Sequence, residues 1–255
     1  MRIARVSAGG AARWAALDGD QVFQLDDVYG AQRRGASLGS LGGVKLLAPA
    51  EPKIIVCIGL NYAAHAAESG QTIPEEPLMF FKPPTALIGP GEEITWPIGT
   101  TRIDSEAELA LVIRKTAKLI RPDRWRDYVL GYTCGNDVSA RDWQGKDGQW
   151  SRAKGFDTSC PLGPWLETEV NPDNLRIQGF LDGKSQQDSS TSDLGHNVGK
   201  LVAHISRYFT LEAGDVIMTG TPAHPGHMED GSEYTIEIQG IGKLTNRIRK
   251  PASYF

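Results

Sequence analysis

Arg102-Ile103-Asp104-Ser105-Glu106-Ala107-Glu108-Leu109-Ala110-Leu111-Val112-Ile113 places an acid at every second position and then runs into five apolar residues. The apolar run reads as a buried strand. Residues two apart in a strand share a face. Glu106 and Glu108 are therefore expected side by side, with Asp104 one step further along. Like charges at that spacing repel, and burial sharpens the repulsion. A hard divalent cation relieves it, because Mg²⁺, Mn²⁺ and Ca²⁺ prefer carboxylate oxygens. The plain alternative is a solvated strand face that carries acids.

Working outward, a further acid arrives at the end of another strand. Val129-Leu130-Gly131-Tyr132-Thr133-Cys134 delivers Gly135-Asn136-Asp137-Val138-Ser139-Ala140-Arg141-Asp142. Glu106, Glu108 and Asp137, with waters or substrate oxygens, would complete an octahedral site with open positions. Arg141 offers a planar fork suited to a substrate carboxylate; the alternative is a surface ion pair with Asp142. The run from Trp150 to Pro164 reads as a loop with one lysine, Lys154, among small and apolar residues. That lysine is either desolvated and aimed at a developing oxyanion or a surface side chain that snorkels. Asp215-Val216-Ile217-Met218-Thr219-Gly220-Thr221-Pro222 is a strand ending in a turn of small residues. Gly220 there lets a ligand approach the backbone, and Thr221 can donate to a carboxylate.

Ahead of the acidic stretch, Asn61-Tyr62-Ala63-Ala64-His65-Ala66-Ala67-Glu68-Ser69-Gly70 is alanine-rich and reads as a short helix, with Asn61 as N-cap and Gly70 as stop. His65 and Glu68 then share a face. A carboxylate beside an imidazole fixes its tautomer and raises its basicity, as a general base for water requires. An incidental surface pair is the alternative. The polar, proline-bearing segment from Gln71 to Pro77 follows, and a helix with a loose loop can close over a site as a lid. Arg121 to Tyr128 reads as a short helix with Trp125 in the core, and Asn197 to Phe209 as a helix in which His204 is structural.

The totals bound the rest. The 255 residues carry a net charge of −4 and show no basic stripe, so nucleic acid and anionic membranes are poor partners. There is no apolar run of transmembrane length and no signal-peptide pattern at Met1–Val6. Cys57, Cys134 and Cys160 are odd in number and unpaired in spacing, which suits free thiols in a cytoplasmic setting. Residues 1–48 read as a small N-terminal β subdomain, because Arg2–Val6 and Gln21–Leu25 alternate polar and apolar. Ala31 to Gly43 reads as a linker or loose helix, and Pro49 and Pro52 mark a boundary before a larger domain at 49–255. Many short strands and few helices make the whole a β-rich α+β protein.

Four blocks together resemble the fumarylacetoacetate hydrolase superfamily: Ile103–Leu109, Gly131–Asp142, Ala153-Lys154-Gly155-Phe156-Asp157 and Met218–Pro222. The resemblance runs in order from about residue 53 to the C-terminus, closest to the bacterial acylpyruvate hydrolase and 2-hydroxyhepta-2,4-diene-1,7-dioate isomerase-like branch. It implies a mixed β-roll catalytic domain, commonly homodimeric, with Mg²⁺ or Mn²⁺ held by Glu106, Glu108 and Asp137. Asp104 matches a position that is not usually a ligand. The resemblance also implies that His65 and Glu68 form a catalytic pair on a lid and that Lys154 faces the substrate. Arg141, Gln144 and Thr221 then contact it. The implied reaction is hydrolysis of a carbon–carbon bond in an acylpyruvate-type 2,4-dioxo acid, through a metal-stabilised pyruvate enolate. Oxaloacetate decarboxylation or dienoate isomerisation on the same site are the alternatives. A metal-stabilised binding protein, or a two-carboxylate glycosidase with Trp143 and Trp150 as platforms, are readings of other classes. Two places depart from the family pattern: Leu60 stands where acylpyruvate hydrolases often have arginine, and Ala223-His224-Pro225-Gly226-His227 replaces Ala-Gly-Val-Gly.

Overall fold

The structure, a computed structural model, describes residues 1–253; the last two positions of the expected 49–255 domain lie outside the described residues. The chain opens with five strands, β1 (Arg2–Ala8), β2 (Ala11–Asp18), β3 (Gln21–Asp26), β4 (Arg33–Ser40) and β5 (Lys45–Leu47). Next come β6 (Ile55–Gly59), helix α1 (Ala63–Glu68), β7 (Leu78–Lys82), β8 (Leu87–Ile88), β9 (Glu93–Thr95), β10 (Ile103–Ser105) and β11 (Ala107–Ile113). The middle of the chain forms β12 (Val129–Asn136), β13 (Ser139–Ala140), α2 (Arg141–Asp147), α3 (Ser151–Lys154) and β14 (Cys160–Glu167). The last part gives β15 (Arg176–Leu181), β16 (Lys184–Ser190), α4 (Val198–Tyr208), β17 (Val216–Met218), β18 (Gly226–Met228), β19 (Glu233–Ile238) and β20 (Gly242–Arg249).

These strands build three sheets. The large one runs β4-β3-β2-β1-β14-β12-β11-β17-β6-β7, with β5 beside β1 and β8 beside β14. A three-stranded sheet has the order β13-β10-β18, and a five-stranded sheet the order β16-β15-β19-β20-β9. Most pairings are antiparallel, but β17 runs parallel to β6, so the large sheet is mixed.

β11 explains why its sequence is an unbroken apolar run. All seven of its residues are buried. Leu109, Leu111 and Ile113 join a core shared with α4 and the five-stranded sheet, through residues such as Val202, Ile236 and Leu244. Ala110 and Val112 point the other way, into a second core with Ile3, Ala16 and Val216. A strand covered on both faces has no polar side to show.

Three expectations need correction. Residues 31–43 are neither linker nor loose helix. β4 pairs antiparallel with β3 from Asp26↔Arg33 to Gln21↔Ser40, and a 3-10 turn at Leu41–Gly43 follows. β4 is the outer strand of the sheet and none of its residues is buried, so it carries no apolar alternation to read. The run from Trp150 to Pro164 is not loop throughout, because α3 carries Lys154 at its last position and β14 begins at Cys160. The expected helix over Arg121–Tyr128 contracts to one 3-10 turn at Trp125–Tyr128, with Trp125 buried as expected. The helix read at Asn197–Phe209 is present as α4, capped by the Asn197 side chain.

The N-terminal strands continue the large sheet. β1 pairs with β14 at Arg2↔Glu167 and Ile3↔Leu166. They also keep a small core of their own, Ala4, Val6, Ala15, Leu17 and Val22. The three cysteines are free and buried. Among the described residues no helix is long and apolar enough to cross a membrane.

Candidate active site

The strand that opens the sequence reading is broken at its acidic residue. β10 ends at Ser105 and pairs with β13 and β18, while β11 starts at Ala107 in the large sheet. Glu106 sits at the crossing. Its N–H donates to Asn136 Oδ1 at 3.0 Å, and its carbonyl accepts the Asp137 N–H at 3.0 Å. Asn136 in turn donates to Ser105 Oγ at 3.1 Å. In the β11–β12 ladder Ala107 faces Asn136 and Glu108 faces Gly135. The end of β12 therefore brings Asp137 back against the start of β11.

Glu106, Glu108 and Asp137 are all buried, and each offers a carboxylate oxygen within 4.8 Å of the others. Asp104 shares their parity but turns aside. Its carboxylate accepts from Arg141 Nε at 2.8 Å and from Arg102 at 3.1 Å, and His227 Nδ1 lies 3.3 Å away.

The three carboxylates are not equivalent. Asp137 is ion-paired with Lys82 at 2.7 Å and with Lys154 at 2.7 Å. Glu106 pairs with Lys154 at 2.8 Å and with the Arg141 guanidinium. Burial works against its charge, yet Arg141 and Lys154 hold its carboxyl well below the usual carboxylate range. Glu108 accepts the Gly220 N–H at 2.8 Å and makes no ion pair among the described residues. Burial, with Asp137 and Glu106 beside it, pushes its carboxyl well above the usual range. Burial likewise opposes the charge of Lys154, but Asp137 and Glu106 keep its ammonium above the ordinary lysine value.

The donor set fits a divalent cation. Of the four buried carboxylates at the site, Asp104, Glu106 and Asp137 are paired with cations, from Lys82, Lys154, Arg141 and the exposed Arg102, and Glu108 is not. Glu108 is the one left for a cation from outside the chain. Three convergent carboxylate oxygens are the ligand type that hard divalent ions take.

His65 and Glu68 lie on α1 at the rim of the same space. His65 Nδ1 is 3.2 Å from Glu68 Oε2. A carboxylate only accepts, so Nδ1 is assigned the proton and Nε2 keeps its lone pair. Asn61 is not the N-cap of this helix; Tyr62 holds that place, with no side-chain capping bond. Asn61 is buried instead. It donates to His196 O at 3.0 Å and Thr219 O at 2.7 Å, and accepts the His196 N–H at 2.7 Å. Pro74, in the segment after the helix, is tied down by His196 Nε2 at 2.9 Å.

All nine residues singled out in the sequence line one cavity of about 660 Å³: Glu106, Glu108, Asp137, His65, Glu68, Lys154, Arg141, Gln144 and Thr221. Ile58, Leu60, Phe80 and Trp150 give it an apolar wall. Within it the Arg141 fork is already taken up by Asp104 and Glu106, and Nη1 donates to Gln144 Oε1 at 2.8 Å. Asp142 is not its partner; that carboxylate accepts from Thr100 and Thr101. Thr221 accepts from Gln187 Nε2 at 2.9 Å.

Sequence reading missed two buried supports. Lys82 pairs with Asp137 and donates to Ser159 O at 2.8 Å and to the carbonyl of Lys154. A signal existed, since Lys82 ends the strand Met79-Phe80-Phe81-Lys82 with the parity of Phe80. Gln187 accepts the Ala107 N–H at 2.8 Å and the Tyr234 hydroxyl at 2.8 Å. It lies in the polar strand Lys184–Ser190, where nothing distinguishes it.

Residues 54–249 match the family described as fumarylacetoacetate (FAA) hydrolase C-terminal. The chain belongs to the fumarylacetoacetate hydrolase family. Residues 1–49 match the Rv2993c-like N-terminal family. Protein Rv2993c of Mycobacterium tuberculosis is 41% identical over 97% of this chain and 98% of its own. The solved 5-carboxymethyl-2-hydroxymuconate delta-isomerase from Mycobacterium smegmatis superposes with a TM-score of 0.92 at 41% identity, over 98% of this chain and 100% of that one. Fumarylpyruvate hydrolase from Pseudomonas aeruginosa, solved in complex with Mn²⁺ and pyruvate, superposes with a TM-score of 0.75 at 32% identity, over 79% of this chain and 91% of that one. The β-rich fold is thus the fold of this family, and its solved members include both hydrolases and isomerases.

Proposed function

We propose that this member of the family is a divalent-metal-dependent hydrolase that cleaves a carbon–carbon bond in acylpyruvate-type 2,4-dioxo acids and releases pyruvate. One observation carries the reading: the His65–Glu68 pair opens onto the same cavity as the buried triad Glu106, Glu108 and Asp137. A proton acceptor and a carboxylate triad are brought to a single space, as water-dependent cleavage of a 2-oxo acid demands.

Glu106, Glu108 and Asp137 would hold Mg²⁺ or Mn²⁺, which would supply a Lewis acid for the 2-oxo oxygen and for the charge of the breaking bond. Were Glu106 to ligate that ion, Arg141 and Lys154 would each lose a partner and be free to donate to the substrate. Arg141 then meets the substrate carboxylate beside Gln144 and Thr221. His65 Nε2, set by Glu68 on Nδ1, takes a proton from water. The hydroxide adds to the distal carbonyl, and Lys154 donates to the oxyanion that forms. The tetrahedral centre collapses to a carboxylic acid, and pyruvate departs as its enolate, which takes the proton that His65 holds. The walls of Ile58, Phe80 and Trp150 exclude bulk water and strengthen these contacts.

Isomerisation of a 2-hydroxydienoate is the second reading, favoured by the full-length likeness to the M. smegmatis isomerase. It uses the same triad and moves a proton without adding water. A pyruvate-release assay on metal-stripped protein separates the readings. Acetylpyruvate and oxaloacetate are offered in parallel, with Mg²⁺ or Mn²⁺ restored. Metal-dependent release from acetylpyruvate, lowered about 10²- to 10⁴-fold by His65→Ala, is the expected result. Release from oxaloacetate alone means a decarboxylase, and release from neither transfers the assignment to the isomerase.

A further inference from the structure

The loop after β17 places a histidine where its own backbone disfavours it. His224 has φ +64. The left-handed region is uncommon for any residue with a Cβ. His224 also precedes Pro225, and a following proline pushes the preceding residue toward extended φ. A glycine would take this conformation without strain. Strain of this kind persists where the surrounding structure imposes it, and it points to a role.

The contacts of His224 show what the strain secures. Its backbone N–H donates to both Glu68 oxygens, at 3.0 Å and 3.2 Å. Its ring Nδ1 lies 2.7 Å from Glu68 Oε1. His65 Nδ1 takes the other oxygen, Oε2, at 3.2 Å. One carboxylate on α1 is therefore held between two imidazoles. The backbone contact alone would survive in glycine, so the side chain adds the ring contact to Oε1.

We propose that His224 is a positioning residue. It fixes the Glu68 carboxylate so that Oε2 is presented to His65 Nδ1, and it ties α1 to the loop that carries Thr221. His65 is thereby kept with Nε2 as its free, basic nitrogen. The inference rests on the role given to His65 and Glu68 in the proposed reaction, and it deepens that role. It places the control of the base on a residue outside the helix, on the side of the cavity that also carries Thr221. An imidazole has two ring nitrogens, and which one acts as base is set by the bond the other makes.

The test compares His224→Gly, which suits the backbone and keeps the N–H, with His224→Asn, which tolerates the left-handed region and keeps a side-chain donor. The protein has five histidines, so ¹⁵N NMR of labelled rings near pH 8 resolves His65 once it is assigned with His65→Gln. In the wild type His65 shows the Nδ1–H tautomer. In His224→Gly it shifts toward the tautomer mixture of a free imidazole. The amides of α1 then exchange faster, while the melting temperature is unchanged or higher because the strain is relieved. On acetylpyruvate kcat falls roughly ten- to a hundredfold, as for loss of an outer support, with KM little changed. His224→Asn restores most of the tautomer signature and the rate. An unchanged His65 signature in His224→Gly overturns the proposal, whether the melting temperature holds or falls. If the wild type releases no pyruvate, the hydrolase reading fails separately, and the His65 signature alone still decides whether His224 sets its tautomer.

Discussion

Glu108 is the carboxylate that most needs a counter-charge, and this makes it measurable without any turnover. Its carboxyl is pushed up by burial and by Asp137 and Glu106. Between the unfolded and folded values, the folded protein holds a proton that the unfolded chain has released. That part of the stability is fully present below the ordinary glutamate range and is lost as pH rises through the folded value. In chelator, Glu108→Gln should therefore gain stability over wild type as pH goes from 5 to 8. The difference should grow by at most about 1.4 kcal/mol per pH unit. Comparing the two proteins cancels the histidines, and adding Mg²⁺ should reverse the order by stabilising the wild type alone. Melting curves check this, and a difference independent of pH would mean that Glu108 stays ionised without metal. Lys82 gives a second residue-scale prediction. Truncation to alanine leaves Asp137 short of a cation and the Ser159 carbonyl short of a donor. Removing one member of a buried pair costs about 3–5 kcal/mol, read as the midpoint of urea unfolding. A cost under 1 kcal/mol would mean that the pair is wetter than its burial implies. At this scale the sequence shows the ligand types well, because acids beside an apolar strand stand out by charge alone. It does not show that Asp104, of the same parity, is turned to Arg141, since that depends on the break at Glu106 imposed by Asn136.

At the scale of elements, α1 is too short to stand by itself. It spans six residues, and isolated helices of that length are unstable in water. Its alanines and its His65–Glu68 spacing are legible in the sequence. What anchors it is not, because the anchors come from remote loops. Asn61 just before it bonds the backbone of Thr219 and His196, and Gln71 N–H returns to the Ala66 carbonyl at 2.9 Å. Asn61→Ala leaves at least two buried backbone groups unpaired, at about 1–3 kcal/mol each. The expected loss is about 2–6 kcal/mol, with faster amide exchange in α1 than in β11. Equal exchange in both would show that Asn61 supports the whole sheet rather than this corner. β4 and α3 are illegible in the sequence for a related reason. Hydrophobic periodicity reports a strand or helix only where one face is buried. β4 has no buried residue, and α3 is a single turn of four residues.

At the scale of the molecule, the question is whether the N-terminal strands are a passenger or part of one cooperative unit. Pro49 and Pro52 mark the boundary in the sequence, but pairing between residues 2–3 and 166–167 is a long-range register that no local pattern encodes. The structure joins the two parts by more than that edge. Ile3, Ala16, Leu25 and Val28 share one core with Ile55, Val112, Leu162 and Val216. Arg114 donates to Gly30 O at 2.9 Å, and Arg5 pairs with Glu51 at 2.7 Å. Removing these strands would uncover part of the core around Ala110, Val112, Leu130, Leu162 and Leu166. Ile3 is fully buried at the junction, and Ile→Ala at such a position costs about 2–5 kcal/mol. If the two parts fold as one, Ile3→Ala lowers a single calorimetric transition by roughly 2–4 °C per kcal/mol lost, and its calorimetric and van't Hoff enthalpies agree. Heating in the presence of Mg²⁺ should then raise that same transition, because a ligand of the native state stabilises every segment that unfolds with it. A low-temperature transition that shifts with Ile3→Ala but not with Mg²⁺ would show instead that the N-terminal strands melt apart from the site. The shared core argues for the first outcome, since separating the parts exposes apolar surface that neither can cover alone.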